Sequence, residues 1–216
     1  MPDVTRIIDQ LTEANVQLVA VSKKRTEEEI RSLYEMGIRV FGENRVQDLV
    51  PKYNALPKDI QWHMIGHLQT NKVKAIAPFV ALIQSLDRES LWHEINKQGQ
   101  RCGRIIPCLL EIKIARESTK TGFEWASLVH LLEDKLHTKL PYVSIQGVMG
   151  MASYVEDETQ IKAEFEQLHQ HFIQLQEKYF KTPYFKWVSM GMSGDYPLAI
   201  DSGSNMVRLG RILFDD

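Results

Sequence analysis

Short apolar runs rich in β-branched residues alternate with longer amphipathic segments along nearly the whole chain. Val4, Ile7, Ile8 and Leu11 recur at helical spacing and predict a helix before the first run. That first run is Gln17–Lys23. Thr26 then precedes three glutamates with Glu29 at the N3 place of a capping box, so a helix is expected to carry Ile30, Leu33 and Tyr34 inward and to stop at Gly37. The second run is Arg39–Asn44, followed by a helix over 46–56. The third is Gln61–His67, then a helix over 70–77. The fourth is Ala81–Leu86, with a helix from about 89 to 98. The fifth is Ile105–Ile114, then a helix over 125–136, and the sixth is Val143–Met151. The helix after it has the clearest signal in the chain, because Ile161, Phe165, Leu168, Phe172, Leu175 and Tyr179 recur at spacings of 4, 3, 4, 3 and 4. Such a stripe could seam a coiled coil, but between two strands it suits the face packed on a sheet. The seventh run is Tyr184–Met190, with a short helix at 196–200, and the eighth is Asn205–Leu209.

Alternating strands and helices call for a parallel sheet, since parallel neighbours need a crossover. Eight units close naturally into a (β/α)8 TIM barrel, here with an extra N-terminal helix and one domain over 1–216. An open doubly wound sheet would normally place a glycine-rich turn after the first strand, and Ser22–Thr26 has no glycine. The 216 residues suffice for a core without disulfide or metal. Lys plus Arg number 26 and Asp plus Glu 28, interspersed, for a net charge of −2, which argues against nucleic acid as a partner. Cys102 and Cys108 do not form a redox or zinc motif. The longest apolar run, Ala75 to Ile83, contains Pro78 and is far short of the ~20 residues that span a bilayer. With no signal pattern at the N-terminus, the expectation is a soluble cytoplasmic protein without a membrane partner.

In a parallel barrel the chemistry gathers where strands end. The first run ends at Lys23, on the same face as Val19 and Val21. If that face is interior, desolvation favours the neutral amine that a Schiff base with a carbonyl requires; on spacing alone, Lys23 and Lys24 read more readily as a solvated pair at a strand exit. Asn44 closes the second run as a hydrogen-bonding group at the same rim. His63 and His67 lie four apart on the third run but lack the other ligands of a metal site, and His169 and His171 read as surface residues. After the seventh run, Ser189–Gly194 supplies small residues before a short helix. Ser189, Ser193, Gly210 and the backbone of Arg211 suit the phosphate place between the loops after strands seven and eight. The set suggests a phosphorylated carbonyl ligand, with lysine on the carbonyl and loops on the phosphate.

Leu18-Val-Ala-Val-Ser-Lys23, Phe41-Gly-Glu-Asn-Arg-Val-Gln47, Trp62-His-Met-Ile-Gly-His-Leu-Gln-Thr-Asn-Lys72, Gly147-Val-Met149, Ser189-Met-Gly-Met-Ser193 and Met206-Val-Arg-Leu-Gly210 occur in this order. Together they resemble the pyridoxal phosphate homeostasis proteins, single-domain relatives of the alanine racemase barrel. The resemblance implies pyridoxal 5′-phosphate (PLP) held as a Schiff base on Lys23, with Ser189, Ser193, Gly210 and Arg211 around the phosphate. It implies Asn44, His63 and Met149 near the cofactor and Arg208 beside the pyridine nitrogen. An arginine there leaves the ring largely unprotonated and a weaker electron sink than a carboxylate partner would. Lys120 matches a family lysine of less certain role. Two departures stand out. The chain ends Leu213-Phe-Asp-Asp216 where relatives carry a basic tail, and Arg211 replaces a threonine found in some relatives.

The resemblance implies a carrier that buffers PLP or delivers it to apoenzymes without established turnover, and the missing racemase domain favours a monomer. The alternative is a PLP-dependent amino-acid racemase using Lys23 as one base, which would need a second base from a domain absent here.

Overall fold

Each apolar run forms a strand because its alternating side chains meet two apolar environments, the barrel interior and the helical layer outside. The computed structural model describes residues 4–115, 117 and 121–214. Its strands are β1 (Gln17–Val21), β2 (Val40–Glu43), β3 (Gln61–Met64), β4 (Leu82–Leu86), β5 (Ile106–Glu111), β6 (Val143–Met149), β7 (Trp187–Ser189) and β8 (Met206–Leu209). They pair in that order, each parallel to the next, and β8 closes on β1 with Val19 opposite Arg208. This is the expected (β/α)8 barrel.

The helices are α1 (Val4–Glu13), α2 (Glu27–Glu35), α3 (Val46–Ala55), α4 (Val73–Ile76), α5 (Glu89–Cys102), α6 (Trp125–Glu133), α7 (Leu136–Lys139), α8 (Glu158–Lys178), α9 (Tyr196–Asp201) and α10 (Arg211–Phe214). The capping box before α2 is formed. The Glu29 amide donates to Thr26 Oγ1, and Glu29 Oε2 accepts from the Thr26 amide at 2.7 Å. The expected helix at 125–136 is two, because Lys135 takes a left-handed conformation between α6 and α7. On α8, Ile161, Phe165, Leu168, Phe172 and Leu175 are all buried against the barrel, each worth about 1.5–3 kcal/mol relative to exposure.

Two apolar clusters follow from the alternation. The larger lies between strands and helices. The smaller one fills the barrel with Val19, Val40, Leu82, Leu109, Met149 and Met206. Above that filling, at the C-terminal ends of the strands, the interior becomes polar. Gln84, Glu111, Ser189 and Arg208 are buried there, and His63 is buried lower down, beside Val40, Leu82 and Met206. No helix among the described residues is long and apolar enough to cross a membrane.

Candidate functional site

Strand β1 stops at Val21, two residues earlier than the apolar pattern suggests, because the chain turns. The Arg25 amide donates to the Ser22 carbonyl at 3.0 Å, and Lys24 adopts a left-handed φ of +64°. Lys23 therefore stands in the turn and is exposed. Of the two readings of Lys23, a solvated lysine at the strand exit is the one the structure shows, because the chain has left the strand before it. Behind the turn lies a buried ion pair. Lys52 on α3 donates to both Glu43 Oε1 and the Ser22 carbonyl, and the Ser22 hydroxyl donates to the same carboxylate oxygen at 2.8 Å. Glu43 and Lys52 thus fix the backbone that presents Lys23. Sequence reading passed over both.

The β1–β8 register brings Gly210 beside Val21, so the loop after β8 shares the rim with Lys23. The loop after β7 meets it there. Ser193 Oγ accepts from the Gly210 amide at 3.3 Å, and Arg211 is exposed next to it. Gly191 makes the approach feasible: its φ is +97°, and a Cβ there would sit 2.7 Å from that of Ala199 on α9. Asp195 accepts from the Met192 amide and closes the loop; burial raises its carboxyl above the usual range. Ser193, Gly210 and Arg211 are brought together as expected.

Ser189 is not part of that loop surface. It ends β7 with its hydroxyl turned into the barrel, where it donates to Gln84 Oε1 at 2.6 Å and accepts from Arg208 Nη1 at 2.7 Å. Both bonds turn the hydroxyl toward Gln84 and Arg208 and away from Ser193 and Gly210. Arg208 also donates to the carbonyls of Ser189 and Gly150, at 2.9 and 3.0 Å. None of these three acceptors is a carboxylate. Burial lowers the guanidinium to about 10, against the fields of Glu111 and Asp195, so it remains charged at neutral pH. A buried cation bonded only to neutral groups is costly and marks a functional position.

His63 faces inward from β3, one layer deeper. Its Nδ1 meets Gln84 Nε2 at 2.9 Å, and burial pushes its pKa down to about 3. Met149 is fully buried in the barrel filling. Glu111, at the end of β5, accepts from Thr121 Oγ1 at 2.6 Å, and burial raises it to about 7. Asn44 follows β2, where its backbone packs against Gly66 so closely that a Cβ on Gly66 would lie 2.4 Å from the Asn44 carbonyl oxygen. Its buried Oδ1 has no hydrogen-bond partner. An orphaned acceptor at the rim is a sign of a site that binds something.

His63 and His67 do not converge. His67 lies beyond β3 and bonds Asp87 at 3.0 Å, and no group of three metal-ligating residues forms among the described residues. His171 is buried, not superficial, and stacks on Trp125 at 3.8 Å. Lys120 falls outside the described residues. Depressions of about 650 and 450 Å³ open at the N-terminal end of the barrel, under α1 and beside Trp187. Of the nine expected residues only His63 touches either, whereas a third, more open depression of about 780 Å³ lies against Lys24, Arg25 and Lys52, beside the turn that carries Lys23. Gln84 and Glu111 were missed, although a glutamine within Leu82-Ile-Gln-Ser-Leu86 is a visible polar break in a buried strand.

The family model described as "Alanine racemase, N-terminal domain" matches residues 4–216. A pyridoxal phosphate homeostasis protein of Aquifex aeolicus is 40% identical over 202 residues, covering 93% of this chain and 86% of the relative. The chain belongs to the pyridoxal phosphate homeostasis protein family. PipY of Synechococcus elongatus PCC7942, solved without PLP, superposes with a TM-score of 0.89 at 32% identity, covering 98% of this chain and 100% of PipY. The same protein solved with PLP bound gives 0.87 at 31% over the same shares. Alanine racemase from Bartonella henselae shares the fold, with a TM-score of 0.72 at 14% identity, and this homeostasis-family barrel covers 58% of it.

Proposed function

We propose that this chain, as one barrel domain over residues 1–216, binds PLP and takes part in intracellular cofactor homeostasis, buffering PLP or passing it to apoenzymes. The reading includes a cytoplasmic location and a monomeric state. The observation that carries it is an exposed amine in the turn after β1, Lys23, at the same end of the barrel as a buried guanidinium on the neighbouring strand β8 that is bonded to no carboxylate, Arg208. Bound PLP supplies an aldehyde that condenses with a primary amine and a conjugated ring that absorbs visible light.

The residues fit that group. Lys23 attaches the cofactor through its amine, with loss of one water. Arg208 is donor-only, so it hydrogen-bonds a ring nitrogen without accepting a proton from it. Ser193, Gly210 and Arg211 provide hydroxyl, backbone and cationic groups for the phosphate. Asn44 offers its unpaired acceptor to a ring substituent, while Met149 walls the interior, and Ser189 and His63 stand behind Arg208. An exposed Lys23 suits exchange with incoming amines better than chemistry that must exclude water. Relatives at 33 and 40% identity carry the homeostasis name, whereas the racemase likeness, at 14% identity, is one of fold alone.

The deciding experiment is an absorption spectrum with and without added PLP, followed by borohydride reduction and peptide mapping. The expected result is a yellow protein with the reduced adduct on Lys23, lost in Lys23→Ala. A colourless protein with no specific adduct would overturn the reading. Transfer to an apoenzyme in the presence of excess free-PLP scavenger tests delivery, and sedimentation tests the monomer.

A further inference from the structure

Four buried side chains from β3, β4, β7 and β8 form one unbroken hydrogen-bonded chain across the barrel: Arg208, Ser189, Gln84 and His63. As the structure orients the groups, its polarity runs one way, from Arg208 to His63. A guanidinium only donates, so Ser189 Oγ must accept from Arg208 Nη1. The single hydroxyl hydrogen then goes to Gln84 Oε1. In this orientation of the amide Gln84 Nε2 points at His63 Nδ1 and the Met206 sulfur, at 2.9 and 3.4 Å. His63 Nδ1 must therefore be bare, with the ring hydrogen on Nε2. Gln84 is the one member that both accepts and donates through a rigid planar group. Its exposure is 0%, so no water competes for either end.

We propose that Gln84, anchored by His63, is the positioning residue that sets the Ser189 hydroxyl and through it the Arg208 guanidinium. The proposal rests on the reading of Arg208 as the partner of the PLP ring nitrogen. Removing the amide frees the Ser189 hydroxyl to rotate, and the guanidinium loses the fixed acceptor that holds Nη1. Leucine at this position serves neither end. Glutamate keeps the acceptor for Ser189 but offers His63 no hydrogen, so the ring hydrogen moves to Nδ1.

The test has two parts. In the protein without PLP, ¹⁵N NMR of His63 should show an unprotonated Nδ1 and a protonated Nε2, with Nδ1 becoming protonated in Gln84→Glu. In the protein with PLP, Gln84→Leu should weaken PLP binding about tenfold, the effect of one hydrogen bond at a buried site. It should also change the visible circular dichroism of the bound cofactor while the adduct still forms on Lys23. Because Gln84 acts through Ser189, adding Gln84→Leu to Ser189→Ala should weaken binding no further. A purely structural glutamine would lower Tm yet leave affinity and dichroism unchanged, and additive losses would place its effect elsewhere; either result overturns the proposal. If Gln84→Leu does not fold, the Gln84→Glu imidazole signature decides. Should the wild type bind no PLP, a bare Nδ1 means that the chain exists and the cofactor reading has failed. A protonated Nδ1 in the wild type means that the chain itself is wrong.

Discussion

His63 and Glu111 are buried in the same barrel and titrate with opposite consequences. His63 falls from an ordinary value near 6.5 to about 3 on folding, so between these limits the unfolded chain holds the extra proton. Its neutral burial therefore adds stability that is complete above pH 6.5 and is lost as pH falls toward 3, at about 1.4 kcal/mol per pH unit. Glu111 rises from 4.5 to about 7, so the folded chain holds the extra proton between those values. Stability is lost there as pH rises, by a similar slope. Between pH 4.5 and 6.5 the two contributions cancel. Urea unfolding across pH should show it: His63→Gln leaves stability declining from pH 4.5 to 7, and Glu111→Gln leaves it rising up to pH 6.5. Parallel profiles in both variants would contradict this account.

Among the elements, the β1 turn depends most on its neighbours. Glu43 on β2 is fully buried and meets Lys52 on α3, which also holds the Ser22 carbonyl. Lys52→Met strands the carboxylate and should cost about 3–5 kcal/mol, read as a lower urea midpoint. Glu43→Gln strands no buried anion and should cost less. An equal loss in the two variants would show that packing, not charge, fixes the turn. Gly66→Ala would press a Cβ onto the Asn44 backbone and should move Asn44 as well as destabilise.

The sequence read well at this scale wherever period and capping agreed. The Thr26 capping box, the α8 stripe and the order of all eight strands follow from local patterns. Lys23 was legible as a rim lysine at a strand exit, but the anchor of its turn was not, because the Ser22 carbonyl is held by Lys52, thirty residues away. Ser189 was assigned to the loop because a Gly/Ser stretch looks alike on either side of a strand end; its inward orientation depends on Gln84, a partner 105 positions distant. His171 was read as superficial because helical spacing does not reveal that Trp125 will stack over it.

For the molecule as a whole, the division between barrel filling and rim determines how a ligand would be felt. The lower interior is packed with apolar side chains, while the turn bearing Lys23 and the loops after β7 and β8 are joined by few bonds, such as Gly210 to Ser193 at 3.3 Å. A ligand that binds only the folded chain stabilises it by RT ln(1 + [L]/Kd), about 2.7 kcal/mol at a hundredfold excess over Kd. For a chain of this length that corresponds to a Tm rise of roughly 5–11 °C. PLP should produce it in the wild type and much less of it in Lys23→Ala. The protection should also be local. Hydrogen exchange should slow at 22–25, 191–195 and 209–212, where the rim segments meet, and stay unchanged in β3 and β4 near the N-terminal mouth. Uniform slowing over the barrel would mean that PLP acts by raising global stability alone. Slowing confined to the N-terminal mouth would put the ligand at the opposite end from Lys23.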